Sequence, residues 1–281
     1  MTGRALLPLL ALLVGCSATP AREPNGPIGN AAPASASAQA SSGEPAKPAL
    51  PQGMVLVPPG PFLRGSVEGV GLRDEHPQRK IDLDAFFIDQ TEVTQAAYAK
   101  CVEAKACVTP RCKKDRPTDW DPEARAAYPV VCIDWEEARA YCSFVGKRLP
   151  TEAEWEKAAR GTEGALYPWG NAEPTCDLAN YSDCDRGGPA PVGSYPKNKS
   201  PYGALDMAGN VWEWVADYHL ASYYNASPDK NPEGPFEGDD RVVRGGSFKY
   251  DAELLLSAER TYDEPTVHYE HIGVRCARDA R

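Results

Sequence analysis

From residue 54 onward the chain alternates short apolar runs with polar, glycine- and proline-rich punctuation, and the spacing of the apolar positions changes along its length. Met54-Val55-Leu56-Val57-Pro58-Pro59-Gly60-Pro61-Phe62 predicts a strand ending in a turn, and Lys80-Ile81-Asp82-Leu83-Asp84-Ala85-Phe86-Phe87-Ile88 a second strand with partial alternation. Three helices follow. Thr94 is placed to cap one that runs to about Ala104, Asp134 with Glu137 forms a box-like pair ahead of one that stops near Gly146, and Thr151 with Glu154 makes a capping box for a third that Gly161 closes. In such a box the side chains at the cap and three residues on each satisfy a backbone N–H that the first turn leaves open. Trp155 and Ala159, four residues apart, share the face of the third helix expected to enter the core. Beyond Gly161, Gly, Pro, Asn, Asp and Trp dominate and no helical period lasts more than two turns; short strands are expected at Val242-Val243-Arg244 and Ile272-Gly273-Val274-Arg275-Cys276. Trp212 and Trp214, flanking Glu213, would point to opposite sides if locally extended, one inward and one outward. The class is α+β with low regular secondary structure. Irregular backbone needs outside partners for its polar groups, so bound cations and disulfides are expected.

The first fifty residues follow other rules. Arg4 precedes an apolar run from Ala5 to Val14 that ends at small residues, the layout of an export signal. About ten apolar residues are half of what a membrane-crossing helix needs, so the segment reads as cleaved. Leu13-Val14-Gly15-Cys16 fits the bacterial lipobox, which makes residues 1–15 a lipoprotein signal peptide and Cys16 the lipidated residue; ordinary secretion is the alternative. Several acyl chains on one cysteine hold durably, each buried methylene contributing about 0.8 kcal/mol. Ser17 stands where an inner-membrane retention signal would have aspartate, which favours the outer membrane of the cell envelope, on its periplasmic or surface face. Residues 16–52 are Ala, Pro, Ser and Gly with almost no large apolar side chain, a disordered tether that cannot offset its ordering entropy. Residues 53–279 are expected to form one domain.

Net charge is −10 with no basic stretch, which argues against nucleic acid and against docking on anionic lipid, leaving the acyl anchor as the membrane link. Nine cysteines become an even set of eight once Cys16 is assigned to lipid, and in an exported chain that reads as disulfides. A cysteine zinc site would need paired CxxC knuckles or histidines at ligand spacing, and the sequence has neither. His268 and His271 lie three apart and read as a solvated loop rather than a metal site. No Gly-x-Ser-x-Gly elbow or HExxH pattern supports a hydrolase.

A series of segments is left over, running from Met54 to Cys276: Met54-Val55-Leu56-Val57-Pro58 with Gly65-Ser66, Thr91-Glu92-Val93-Thr94, Pro129-Val130-Val131, Arg148-Leu149-Pro150-Thr151-Glu152-Ala153-Glu154-Trp155-Glu156, Tyr167-Pro168-Trp169-Gly170, Tyr202-Gly203-Ala204-Leu205-Asp206-Met207-Ala208-Gly209-Asn210-Val211-Trp212-Glu213-Trp214, Arg244-Gly245-Gly246-Ser247 and Gly273-Val274-Arg275. In this order they resemble the formylglycine-generating enzyme, or sulfatase-modifying factor, family, whose fold is a loop-rich relative of the C-type lectin fold. The resemblance implies a single disulfide-stapled domain of that kind.

It also implies a site. Family members that oxidise a sulfatase cysteine carry two cysteines shortly after Gly-Gly-Ser, where the thiolates bind copper, and soft thiolates are what Cu(I) requires. Counting from Ser247, those positions fall on Tyr250 and Leu255, so no copper is expected. An iron-binding branch uses histidines on an additional helical domain that this sequence lacks, so no iron is expected either. The resemblance leaves a cleft lined by Trp212, Ser247, Phe248 and Tyr250 that presents a groove to a protein, peptide or glycan; the alternative is a protein-modifying enzyme working by another chemistry. Two structural Ca2+ sites are implied, one at Asp206, Gly209, Val211 and Glu213, the other starting at Asn180 and Tyr181 and closing on Asp183 or Asp185. The family's bridge between the cysteine before Gly-Lys-Arg-Leu-Pro and the closing one falls on Cys142 and Cys276. Cys176 and Cys184 bound a short loop and pair locally. The remaining four pair as Cys101 with Cys107 and Cys112 with Cys132, or as Cys107 with Cys112 and Cys101 with Cys132.

Overall fold

Proline splits the first expected strand and Asp84-Ala85 the second, so two strands become four. The computed structural model describes residues 50–112 and 120–280; the expected signal peptide, Cys16 and the expected tether up to residue 49 lie outside the described residues. The chain separates into two units, Met1–Ala46 and Lys47–Arg281, and the second carries every element below. Strand β1 (Met54–Val57) ends where Pro58 and Pro59 have no N–H to donate to a ladder, and β2 (Gly60–Arg64) continues in another sheet. β3 (Arg79–Leu83) pairs with β2, and β4 (Phe86–Asp89) pairs with β1. All four residues of β4 are buried, and it is the middle strand, with β9 (Ala277–Asp279) on its other side.

The helices start where their caps place them. α1 (Gln95–Glu103) follows Thr94, whose hydroxyl accepts from the Ala97 N–H. α2 (Trp135–Phe144) and α3 (Glu152–Arg160) each begin with a reciprocal capping box, Asp134 with Glu137 and Thr151 with Glu154. The second half is irregular except for β5 (Trp212–Tyr218), a single turn α4 (Tyr223–Ala226), β6 (Arg241–Arg244), β7 (Thr261–Asp263) and β8 (Ile272–Gly273). These strands form a sheet ordered β7-β6-β5-β8, with β5 and β8 parallel. Of the strand expected over residues 272–276, only Ile272–Gly273 joins the ladder.

Two expectations are corrected here. The Trp212 and Trp214 side chains are both buried, as is Glu213 between them. Residues two apart on a strand share a face, so Trp212 and Trp214 point to the same side of β5 and Glu213 to the other. Both sides are covered there: the two tryptophans pack in one core cluster, with Trp214 Nε1 donating to the Ile133 carbonyl at 3.2 Å, and Trp155 Nε1 on α3 donates to Glu213 Oε2 at 2.7 Å. Second, α3 is buried on every side rather than on one face, charges included.

The charges on α3 explain how an irregular fold satisfies its backbone. Arg160 donates to the carbonyls of Ala165, Gly65 and Gly164, and Lys157 Nζ donates to those of Pro58 and Gly60. Arg244 on β6 reaches the carbonyls of Ala258, Glu259 and Ser257, and Arg275 those of Asp89, Gln90 and Leu205. Their guanidinium charge is balanced by Glu156 (Arg244 Nη2 to Oε2, 2.9 Å), Glu152 (Arg260 Nε to Oε1, 2.7 Å) and Glu213. Internal arginines thus satisfy many carbonyls of the irregular segments. A guanidinium offers five donors in a rigid fork, enough to serve several carbonyls at once.

Disulfides complete the framework. Cys142–Cys276 joins α2 to the segment leading into β9, Cys176–Cys184 closes a short loop, and the remaining four pair as Cys101–Cys107 and Cys112–Cys132, not in the alternative pattern.

Candidate functional site

Two glycine-rich turns meet at one end of β5 and build the site. The segment Asp206–Asn210 coils tightly, with Asp206 at φ 57° and Asn210 at φ 64°, values that aspartate and asparagine tolerate better than other side-chain-bearing residues. Gly209 lies at φ 82°, and a Cβ there would sit 2.6 Å from the Asn180 carbonyl oxygen, so only glycine fits. The Gly209 N–H donates to the Gly245 carbonyl at 2.7 Å, and the Phe248 N–H to the Asn210 carbonyl at 2.9 Å. These bonds fasten Gly245-Gly246-Ser247-Phe248 against the Asp206–Asn210 turn.

Tyr250 follows from this second turn and is 38 % exposed. Its ring stands edge-on to Trp212 (6.0 Å) and to His271 (5.4 Å), and His271 stacks on Tyr269 at 5.1 Å. Tyr250 Oη lies 3.4 Å from His271 Nε2. Burial pushes the Tyr250 phenol above its ordinary range, with Asp263 adding to the effect, so the hydroxyl keeps its proton at neutral pH. Leu255, at the other counted cysteine position, is fully buried and packs with Tyr167, Ala179, Tyr181 and Ala208. Every cysteine among the described residues is in a disulfide, so those residues offer no thiolate pair and do not fit copper.

The structure divides the expected groove. Tyr250 is exposed and Phe248 half-buried, whereas Trp212 and Ser247 are buried. A separate cleft of about 500 Å3, lined by residues including Trp135, Arg139, Arg148, Thr151, Glu154 and Asn231, shares none of these four. His271, read from sequence as part of a solvated loop, is buried among the rings, while His268 stays partly exposed.

The residues of the expected cation sites come together around the Asp206–Asn210 turn. Asp206 Oδ1 and Asn180 Oδ1 are buried acceptors without a hydrogen-bond donor, and two more, Glu92 Oε2 and Asn198 Oδ1, share that condition. All four belong to residues bonded into or neighbouring the turn: Asn180 Nδ2 donates to Asn210 Oδ1, Asn210 Nδ2 to Glu92 Oε1, and Asn198 Nδ2 to the Ala208 carbonyl. Glu92 is pushed well above the ordinary carboxylate range by burial and by the neighbouring Asp206 charge. Buried oxygen acceptors are the donor type a hard cation takes, and Asp206 Oδ1 and Asn180 Oδ1 have that chemistry. Glu213 fits less well, because Oε2 accepts from both Arg275 Nε (2.6 Å) and Trp155 Nε1, and Oε1 from Arg275 Nη2 (2.7 Å). Asp183 and Asp185, named to close the second site, are exposed. Glu92 and Asn198 were missed as site residues. The Thr91-Glu92-Val93-Thr94 motif was the available signal for Glu92, but only the fold brings it to Asn210, 118 positions away.

Comparison with known proteins follows the same lines. The sulfatase-modifying factor enzyme 1-like domain matches residues 39–280. The chain is 34 % identical to the formylglycine-generating enzyme of Streptomyces coelicolor, over 89 % of this chain and 96 % of the relative. It is 39 % identical to the serine/threonine-protein kinase Pkn1 of Chlamydia caviae over 81 % of its own length but spans only 38 % of that relative. Among solved structures, PvdO from Pseudomonas aeruginosa superposes with a TM-score of 0.70 at 26 % identity, covering 80 % of this chain and 94 % of PvdO.

Proposed function

Because the chain belongs to the sulfatase-modifying factor enzyme 1-like family, we propose that it is an envelope-tethered member that has lost the copper oxidase chemistry and uses the remaining groove for recognition. The observation that carries this reading is the fate of the two counted cysteine positions: Leu255 is packed into a core, and Tyr250 is a surface ring backed by Trp212 and His271. Neither a protonated phenol nor an isobutyl group supplies the soft thiolate that Cu(I) takes. The exposed Tyr250 ring, with the half-buried Phe248 nearby in the chain, suits the face of a sugar or an extended peptide, apolar on the ring and polar at the hydroxyl. In this reading Cys16 carries the lipid that holds the domain at the outer membrane, residues 16–52 give it reach, and calcium braces the turn beneath the groove through Asp206 and Asn180.

One observation favours a second reading. Tyr250 Oη and His271 Nε2 form a hydroxyl–imidazole pair at 3.4 Å, the arrangement from which a protein-modifying enzyme working on an exported substrate would move a proton. The two readings are separated by affinity capture from envelope extract with the full chain and its Tyr250→Ser and Phe248→Ser variants, partners being tracked by mass. Recognition predicts a partner held by the wild type and lost by both variants with melting temperature unchanged. A partner retained by both variants contradicts the groove, and a mass change in the partner that requires Tyr250 supports the enzyme.

A further inference from the structure

Away from the groove, three side chains of metal-binding type converge where α2 begins. His268, Asp134 and Glu137 bring one ligand atom each within 4.8 Å of one another. His268 Nε2 lies 3.2 Å from Glu137 Oε2 and 3.9 Å from Asp134 Oδ2. From these contacts we infer a first-row divalent metal site, zinc foremost, distinct from the calcium-type oxygens around Asp206.

Each ligand is held in a form ready for metal. A backbone carbonyl can only accept, so the 3.1 Å contact between His268 Nδ1 and the Thr266 carbonyl puts a ring proton on Nδ1; in the neutral ring the lone pair is then on Nε2, the atom beside the carboxylates. A carbonyl fixing the far nitrogen of the ring is the usual support of a metal-bound histidine. The capping box uses only part of each carboxylate: Asp134 Oδ1 accepts the Glu137 N–H at 2.8 Å, and Glu137 Oε2 accepts the Asp134 N–H at 3.0 Å. Asp134 Oδ2 and the remaining lone pairs of Glu137 are left over. Zinc at about 2.0–2.2 Å from its ligands sets neighbouring donors roughly 3.3 Å apart in a tetrahedron; the His268–Glu137 separation of 3.2 Å matches this, and the 3.9 Å to Asp134 would close by about half an ångström on binding. Two carboxylates outweigh the partial positive charge of the helix start, about half a unit. With three protein ligands, the fourth position is open to water or to a donor from a bound molecule.

The metal would pin the loop that carries His268, Tyr269 and His271 to α2. That loop is already stitched there, the Trp135 N–H donating to the Pro265 carbonyl and the Cys132 N–H to the Tyr269 carbonyl, both at 3.0 Å. Its rings Tyr269 and His271 back Tyr250, so the clamp would set the rear wall of the exposed site. This inference is independent of whether the groove recognises or reacts.

The plain alternative is a protonated His268 paired with a capping box, and the test separates the two. Zinc chloride is titrated calorimetrically into the full chain with excess calcium present, and cobalt chloride is added in parallel while the visible spectrum is recorded. The wild type should bind one zinc in competition with cobalt and show a tetrahedral cobalt band. His268→Ala, which leaves the capping box intact, should weaken zinc on the order of a hundredfold and abolish the band, and Asp134→Asn, which keeps a capping oxygen, should weaken zinc as well. His271→Ala should bind as the wild type does. Absence of zinc binding in the wild type, or equal binding by His268→Ala, overturns the site.

Discussion

Arg275 holds Glu213 through two parallel hydrogen bonds, Nε to Oε2 at 2.6 Å and Nη2 to Oε1 at 2.7 Å, with both residues buried and Trp155 donating a third bond from α3. Removing one partner leaves the other charge without compensation in the interior, which costs about 3–5 kcal/mol. Arg275→Met should therefore lower unfolding free energy in urea by that amount, and adding Glu213→Gln should recover part of it. A second substitution that only adds to the loss would show that the pair is not the source.

Asp217 and Glu259 are both pushed up to about 8, in each case first by burial, then by Glu152 near Asp217 and by Glu75 near Glu259. In the unfolded chain both titrate near 4. Between those values the native state binds more protons than the unfolded one, so stability falls as pH rises; the contribution is intact below about pH 4 and gone above about pH 8. Urea unfolding should show a stability lower at pH 8 than at pH 5.5 by on the order of a few kcal/mol. Asp217→Asn keeps an oxygen for the Glu152 N–H and should flatten the slope. An unchanged slope in that variant assigns the effect elsewhere.

Calcium removal tests the turn beneath the groove. A ligand at a hundred times its dissociation constant stabilises by about 2.7 kcal/mol, worth on the order of 5 °C or more in a domain of this size. EGTA should lower the melting temperature and calcium, added back, restore it; Asp206→Asn and Asn180→Ala should blunt the response. A melting temperature indifferent to chelator removes calcium from the structure altogether.

Much of the fold was legible because local signals decide it. Thr94, Asp134 and Thr151 each cap the helix they were assigned, and the family motifs placed Cys142 opposite Cys276. What escaped was charge burial. Glu152, Glu156, Lys157 and Arg160 look like a solvated helix face in sequence, yet each meets a partner that arrives from far along the chain, such as Arg260 for Glu152, 108 positions away. Periodicity reads a helix against an apolar core and has no means of seeing a core whose polar half is filled by arginines and carbonyls. Trp212 and Ser247 follow from the motifs, but their burial is set by the fold: Trp212 packs in a cluster with side chains of α1 and α2, and the Ser247 segment is fastened to the Asp206–Asn210 turn through the Phe248 N–H.

Cys16→Ser tests the tether. Expressed in a bacterium with a lipoprotein pathway, the wild type should partition into the detergent phase of Triton X-114, and the variant should appear either uncleaved or soluble. Wild type and variant both in the aqueous phase would leave the domain without a lipid anchor.

The proposed loss of oxidase chemistry is reached most directly by one assay on the purified full chain. It is titrated with Cu(I) and then incubated aerobically with a sulfatase-type peptide containing Cys-x-Pro-x-Arg, and the peptide is examined by mass spectrometry for the aldehyde. With Tyr250 and Leu255 where thiolates would be needed, the peptide should be recovered with its cysteine unconverted and copper should find no thiolate pair. A copper-dependent aldehyde product would contradict the loss and return this chain to the oxidases of its family.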